Sequence, residues 1–238
     1  MTEPARVVPV KRLELAFRPR PWPFATERRA EIDAHFARAR RDKPGLWNGR
    51  VLLLHEFSLH DGILRGAFLE TDFASFMAWR DWEAPDRGVR NAFAAGALRA
   101  RDGAFLLAVM GSHTANAGKI YFPCGTPDPG DIVGDRIDLD GSVQREVSEE
   151  TGLGSGDYTP ETGWHAFVTG AQIALIKMLH CATDAEPLRA RIRRTIASQS
   201  DAELADVRIV RQPGDFDRNM PPFVTTFLQY VWQQSRRP

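Results

Sequence analysis

The sequence predicts an α/β sandwich built on a mixed sheet. Three observations carry that expectation. Strand-like and helix-like periodicities alternate along the 238 residues. Two Asp-Gly pairs, Asp61-Gly62 and Asp102-Gly103, sit between apolar runs and signal antiparallel hairpins. The run Phe105-Leu106-Leu107-Ala108-Val109 is continuously apolar, as suits a strand covered on both faces.

Taken in order, residues 7–24 place Leu13, Leu15 and Phe17 on one face and then meet Pro19, Pro21 and Pro23. A short strand and an extended turn are expected there. Thr26 is placed to cap a helix to about Arg41, with Ile32, His35, Phe36 and Ala39 on one side. Pro44-Gly45 stops it, and Trp47-Asn48-Gly49 turns the chain. Residues 51–57 and 63–70 are the arms of the first hairpin. Asp72 then caps a helix carrying Phe73, Phe76, Met77 and Trp79, an aromatic cluster read as core and not as a base-stacking platform. His55 and His60 face opposite sides of an extended chain, so nothing pairs them as ligands.

Residues 92–101 and 104–110 flank the second hairpin turn. Residues 111–119 have the outline of a phosphate loop, but six residues separate Gly111 from Gly118, and Ile120 follows Lys119 where Ser or Thr is needed. They are read as a connection between strands. Further on come a polar loop (154–163) and one or two strands (164–181). A helix follows, capped by Asp184, with Pro187 in its first turn and Leu188, Ile192 and Ile196 along one side. Residues 201–206 read as an acidic connection and 207–210 as a short strand. Pro221-Pro222 opens a final helix with Phe223, Phe227, Val231 and Trp232 facing inward. No internal repeat or low-complexity segment is present.

Composition bounds the partners. Lys plus Arg equals Asp plus Glu at 31 each, so net charge says nothing, but its distribution does. Residues 1–50 hold 12 basic against 6 acidic residues, and residues 125–161 hold 10 acidic against 2 basic. The basic arm is read as solvated surface, so no nucleic acid is expected. Two cysteines, Cys124 and Cys181, are too few for a disulfide framework. No apolar run approaches a membrane span, and the first residues lack an apolar signal core. A cytoplasmic enzyme is expected.

The chemistry concentrates in Arg145-Glu146-Val147-Ser148-Glu149-Glu150-Thr151-Gly152-Leu153. Glu146, Glu149 and Glu150 stand at i, i+3 and i+4, one face of a helix. Three carboxylates so close repel one another, and Arg145 supplies one positive charge. A hard divalent ion is the fitting further partner. Gly152 ends the helix, Leu153 packs back, and Asp140 or Ser142 caps its start.

This stretch resembles the helical half of the Nudix box. Phe122-Pro123-Cys124-Gly125-Thr126-Pro127-Asp128-Pro129-Gly130 resembles the loop half, with Cys124 in place of a glycine. The family pattern places a Glu eight residues before the Arg, where this chain has Ile137. Residues 131–139 read as an insertion of about six residues. Either Asp131 stands for the loop Glu, or the insertion is a solvated loop.

The resemblance implies the Nudix α/β/α sandwich over residues 91–238, with residues 1–90 as an N-terminal α+β extension packed on it. It implies a Nudix-type pyrophosphohydrolase that uses Mg2+, or Mn2+ in its place. Glu149 and Glu150 would be the primary ligands, assisted by Glu146 and the Gly125 carbonyl, with Arg145 fixing the carboxylates. The general base is a box glutamate or an acidic residue such as Glu203. His113 and Lys119 are the substrate-binding candidates, because the equivalent loop borders substrate in the family. The Trp-Asn-Gly turn and the Asp61 hairpin look similar to Nudix proteins that cleave UDP-sugars. The expected substrate is therefore a nucleoside diphosphate derivative, first a UDP-sugar, cleaved to a nucleoside monophosphate and a sugar phosphate. The alternatives are a dinucleotide or CoA derivative, or a regulator that binds nucleotide without cleaving it. A homodimer stays open.

Overall fold

In the computed structural model, which describes residues 5–235, the expected first strand is two strands. β1 (Arg6–Val10) and β2 (Arg12–Phe17) are separated by Lys11 alone and enter different sheets. The first helical stretch also divides, into α1 (Pro23–Glu27) and α2 (Arg29–Asp42). Thr26 is therefore inside α1 and caps nothing; its hydroxyl donates to the Pro23 carbonyl at 3.0 Å. β3 (Arg50–His60) and β4 (Ile63–Asp72) form the first hairpin, with Asp61 and Gly62 both at positive φ. Asp72 caps α3 (Phe73–Asp81) as expected, accepting the Ser75 N–H at 3.0 Å.

β5 (Asn91–Arg99), β6 (Phe105–Met110), β7 (Ile120–Tyr121) and β8 (Cys124–Gly125) follow. The segment after them is exposed at residues 133–136 but is not an irregular loop. β9 (Ile132–Val133) and β10 (Arg136–Ile137) form a hairpin, and β10 pairs with β2 at Ala16. Ile137 occupies the expected glutamate position because it is buried in the core. α4 (Leu139–Thr151) is capped by Asp138, which accepts the Gly141 N–H at 3.0 Å. Neither expected cap serves: Asp140 pairs with Lys177 Nζ at 2.9 Å, and Ser142 is buried. Gly152 closes the helix at φ 71°, and Leu153 packs fully buried behind it.

β11 (Tyr158–Pro160), β12 (Trp164–Val168), β13 (Gln172–Cys181), α5 (Ala185–Ser198), β14 (Leu204–Val210) and α6 (Pro222–Gln234) complete the chain. Asp184 precedes α5 without capping it, because Arg101 grips both of its oxygens at 2.9 and 2.7 Å. The acidic connection is partly strand, since β14 begins at Leu204. In α6, Phe223, Phe227 and Val231 are buried; Trp232 is half-buried and stacks on Phe216.

The main sheet runs β1-β12-β13-β5-β6-β14, with β11, β8 and β7 added at β13, β5 and β6. Only β13 and β5 pair in parallel, so the sheet is mixed. One face carries α6, through Phe223, Phe227 and Leu228 against Phe93, Phe105 and Ile176. The other carries α4, α5 and a second sheet, β3-β4-β2-β10-β9, in one shared core. Helices α1, α2 and α3 cover the outer face of the second sheet through Trp22, Ile32, Phe76 and Trp79. The result is an α/β/α sandwich on a mixed sheet, extended by a second sheet and its helices. β1 crosses the division expected at residue 90 by pairing with β12.

The seat of α4 depends on one missing side chain. A Cβ at Gly96 would lie 2.6 Å from Val147 Cγ2 and 3.0 Å from Leu179 Cδ1. Gly96→Ala is expected to destabilise the protein by about 1–3 kcal/mol through overpacking. Chemical denaturation checks this, and unchanged stability would mean that α4 shifts freely on the sheet.

Candidate active site

Val143 and Val147 bury one side of α4 against the sheet. That register turns Glu146 and Glu150 toward β8. A Cβ at Gly125 would lie 2.5 Å from Glu146 Oε1 and 2.9 Å from Oε2, so only glycine leaves room for this carboxylate. Glu150 is 6% exposed and receives the Cys124 backbone N–H. Its Oε2 is buried without a hydrogen-bond partner. Glu149 points outward, with its side chain 63% exposed.

Electrostatics mark the same spot. Burial, and then the charges of Glu146 and Glu203, hold the Glu150 carboxyl well above the usual carboxylate range. Burial likewise pushes Glu146 up to about 7; Arg145 opposes it, while Glu149 and Glu203 add to it. Glu203, next to the start of β14, lines a cleft of about 450 Å³ with Glu146, Glu149 and Glu150. Gln199 also lines it, its amide donating to the Glu149 backbone carbonyl at 2.9 Å.

Arg145 holds this acidic group in place. It donates to Glu146 Oε1 at 2.7 Å and to Asp131 Oδ1 at 2.9 Å, and stands 3.8 Å from Glu149 Oε2. Asp131 is 5% exposed, and its second oxygen accepts the Asp128 N–H at 3.0 Å. Its position just before the β9–β10 hairpin makes it the internal counterion of Arg145. The guanidinium fork, charged at any working pH, bridges loop and helix.

Among the described residues no three carboxylate, histidine or cysteine side chains converge at metal-binding spacing. Arg145 draws Glu146 aside, and Glu149 faces solvent. The donor set nevertheless fits a hard divalent cation. A buried carboxylate oxygen lacks a partner, its neighbours raise the cost of its charge, and every candidate donor is an oxygen.

His113 and Lys119 stay outside the carboxylate cleft. His113 lines a recess that also borders Glu203, Tyr121 and Cys124. Lys119 lines a chamber that borders Gly125 from the other side. The aromatic cluster of α3 is divided: Phe76, Met77 and Trp79 are core, while half-buried Phe73 lines both the recess and the chamber. Asn91, Gln172 and Arg218 also line the chamber, and no sequence pattern singled them out. No helix among the described residues is long and apolar enough to cross a membrane.

No protein-family profile matches the chain. No curated protein matches it either. Solved structures similar to it include the MutT protein from Methanosarcina mazei Go1, at 18% identity over 62% of this chain and 96% of that one, with a TM-score of 0.43. A Nudix hydrolase from Nitrosomonas europaea matches at 18% identity over 63% and 93%, with a TM-score of 0.40. The Nudix domain of Shewanella oneidensis NrtR, solved with ADP ribose, matches at 17% identity over 70% and 99%, with a TM-score of 0.38. In the stretch from Arg145 to Leu153, in the Gly125 loop facing it, and in the sandwich that carries both, the chain resembles the Nudix hydrolases.

Proposed function

We propose that this protein is a metal-dependent hydrolase of a diphosphate linkage in a nucleoside diphosphate derivative. A UDP-sugar is the first candidate, with a nucleoside monophosphate and a sugar phosphate as products. The observation that carries this is the buried Glu150, one oxygen of which lacks any hydrogen-bond partner, in a cleft shared with Glu146, Glu149 and Glu203. Carboxylates gathered this way are costly without a cation, and a solvated helix face does not bury one of its charges as Glu150 is buried.

Glu149 and Glu150 are assigned as primary ligands, with Glu146 and the Gly125 carbonyl completing the set. A divalent ion bound there neutralises phosphate charge and lowers the pKa of a coordinated water. Arg145 keeps Glu146 over Gly125 and ties it to Asp131. Glu203 is assigned as the base, since it lines the cleft just before β14 and stands outside the Arg145 network. Lys119 and His113 are assigned to substrate on the far side of Gly125 and Cys124. Trp47, Phe73 and Arg80 bring the first 90 residues to the same recesses, which supports a part for that segment in substrate choice.

The test is a hydrolysis screen over UDP-, ADP- and GDP-sugars, dinucleotides, NADH and CoA, with Mg2+ and with chelator, products identified. Cleavage of a UDP-sugar that stops in chelator is the expected result. Slow, uniform rates on all sugar nucleotides beside fast cleavage of another class would remove the UDP-sugar. No cleavage at all would overturn the enzyme.

A further inference from the structure

On the other side of Gly125 from the carboxylates lies the chamber that Lys119 borders, about 410 Å³ in volume. That is within the size range of small-molecule sites. Phe73 and Arg80 of α3 form one wall, Phe223 of α6 another, and the starts of β5 and β13 the floor.

Three kinds of group meet there. The first is aromatic. Phe93 and Phe223 stand edge to face at 5.3 Å, and Phe73 meets Phe76 at 6.1 Å. The second is a pair of carboxamides. Asn91 and Gln172 are direct register partners in the one parallel pair of the main sheet. Their side chains therefore leave the sheet side by side on one face, the face of Phe93 two residues on. Asn91 Oδ1 is buried and has no hydrogen-bond partner. A buried acceptor without a donor is costly to keep, and this one lies in the wall of a chamber from which a donor could reach it. The third is cationic: Lys119 and Arg218 are exposed at the rim.

We infer that this chamber is the nucleobase subsite, with Asn91 accepting an N–H from the base edge and Gln172 beside it. The inference rests on the diphosphate-hydrolase function proposed above and names what that site selects. A planar heterocycle with an edge N–H meets both demands of the chamber at once. It stacks on the rings, and it supplies the donor that Asn91 Oδ1 lacks. Gly125 lines the chamber and faces Glu146 on its other side. A nucleoside seated here therefore leads its diphosphate past Lys119 and Arg218 toward the carboxylates. Opposite charges then run in the order a nucleotide needs: neutral base, cationic rim, cation-binding cleft.

The test uses the whole protein. UMP, AMP, GMP and CMP are titrated calorimetrically, and steady-state kinetics are measured on the diphosphate cleaved fastest. One monophosphate is expected to bind at least about tenfold tighter than the weakest, as for sites that hydrogen-bond a substrate edge. Asn91→Leu keeps the volume and removes the amide. It is expected to raise that Kd, and the KM, at least about tenfold, to flatten the ranking of bases, and to change kcat by no more than about twofold. The backbone N–H of Asn91, bonded to the Ala171 carbonyl at 2.9 Å, is untouched by the change. Should Asn91→Leu unfold, Phe73→Ala carries the test: all four monophosphates are expected to weaken together.

Parental affinities, ranking and KM in these variants would overturn the subsite while leaving the hydrolase standing. Failure of the parent to bind any of the four would also overturn it. Conversely, Asn91-dependent binding in a protein that cleaves no diphosphate would keep the subsite and remove the hydrolase.

Discussion

Replacing Glu150 with glutamine is expected to lower turnover by at least about two orders of magnitude, as when a catalytic cation site loses a charged oxygen. The same change is expected to raise the melting temperature in chelator. The sign follows from burial. The Glu150 carboxyl sits well above the usual range because it is buried, then because Glu146 and Glu203 repel its charge. As pH rises above that usual range the unfolded chain ionises freely and the buried group does not, so the parent loses stability that a neutral glutamine keeps. The glutamine carbonyl can still accept the Cys124 N–H. Magnesium reverses the order, since it stabilises the protein that binds it more tightly. Glu149→Gln is expected to match the loss of turnover. Because that side chain is 63% exposed, the melting temperature without metal should hardly move. Melting curves with and without Mg2+, beside a turnover assay, decide. Near-parental turnover in both variants, or an equal magnesium shift in parent and Glu150→Gln, would sink the assignment.

Arg145→Ala is expected to cost both rate and stability. It strands Asp131, which is 5% exposed, without its cation. An unpaired buried acceptor costs about 1–3 kcal/mol. The lower half applies here, because the guanidinium side chain is 38% exposed and screened by solvent. Adding Asp131→Asn to Arg145→Ala is expected to recover much of the stability and none of the rate, since Glu146 stays unheld. Arg145→Lys keeps the charge but cannot reach Asp131 and Glu146 together, so its rate should fall less than that of Glu150→Gln. Asp131→Asn alone is expected to slow turnover while Asp135→Asn does not. Parental melting and magnesium titration in Arg145→Ala would reduce Arg145 to a surface residue.

The carboxylate face of α4 was legible because its spacing needs only helix geometry, and Gly152 marks its end. The hairpin at residues 132–137 was not, because two strands of two residues carry no periodicity. The breaks at Lys11 and Arg28 lack glycine or proline at the break itself, so nothing local announces them. Three alternate polar positions, Asp138, Asp140 and Ser142, compete to cap α4; Asp138 takes the role, while Asp140 pairs with Lys177. Asp184 looks like a cap in sequence and is an ion-pair partner of Arg101 in space. Phe73 shares the pattern of its core neighbours, and only packing separates it from them. Asn91 and Gln172 meet because β5 and β13 pair in parallel, which no local pattern encodes.

The pairing of β1 with β12 sets an order in time. Val10 must find Trp164, and Arg6 must find Val168, across most of the chain. During synthesis β1 emerges early and waits with its hydrogen-bonding edge open until β12 exists. Its neighbour β2, one residue away, can meanwhile settle against β4. Sheet closure is then a late, slow step, as long-range pairing demands. Cutting away the first ninety residues would not release a finished core. It would leave β12 as a bare edge, and the expected fate of such a fragment is self-association.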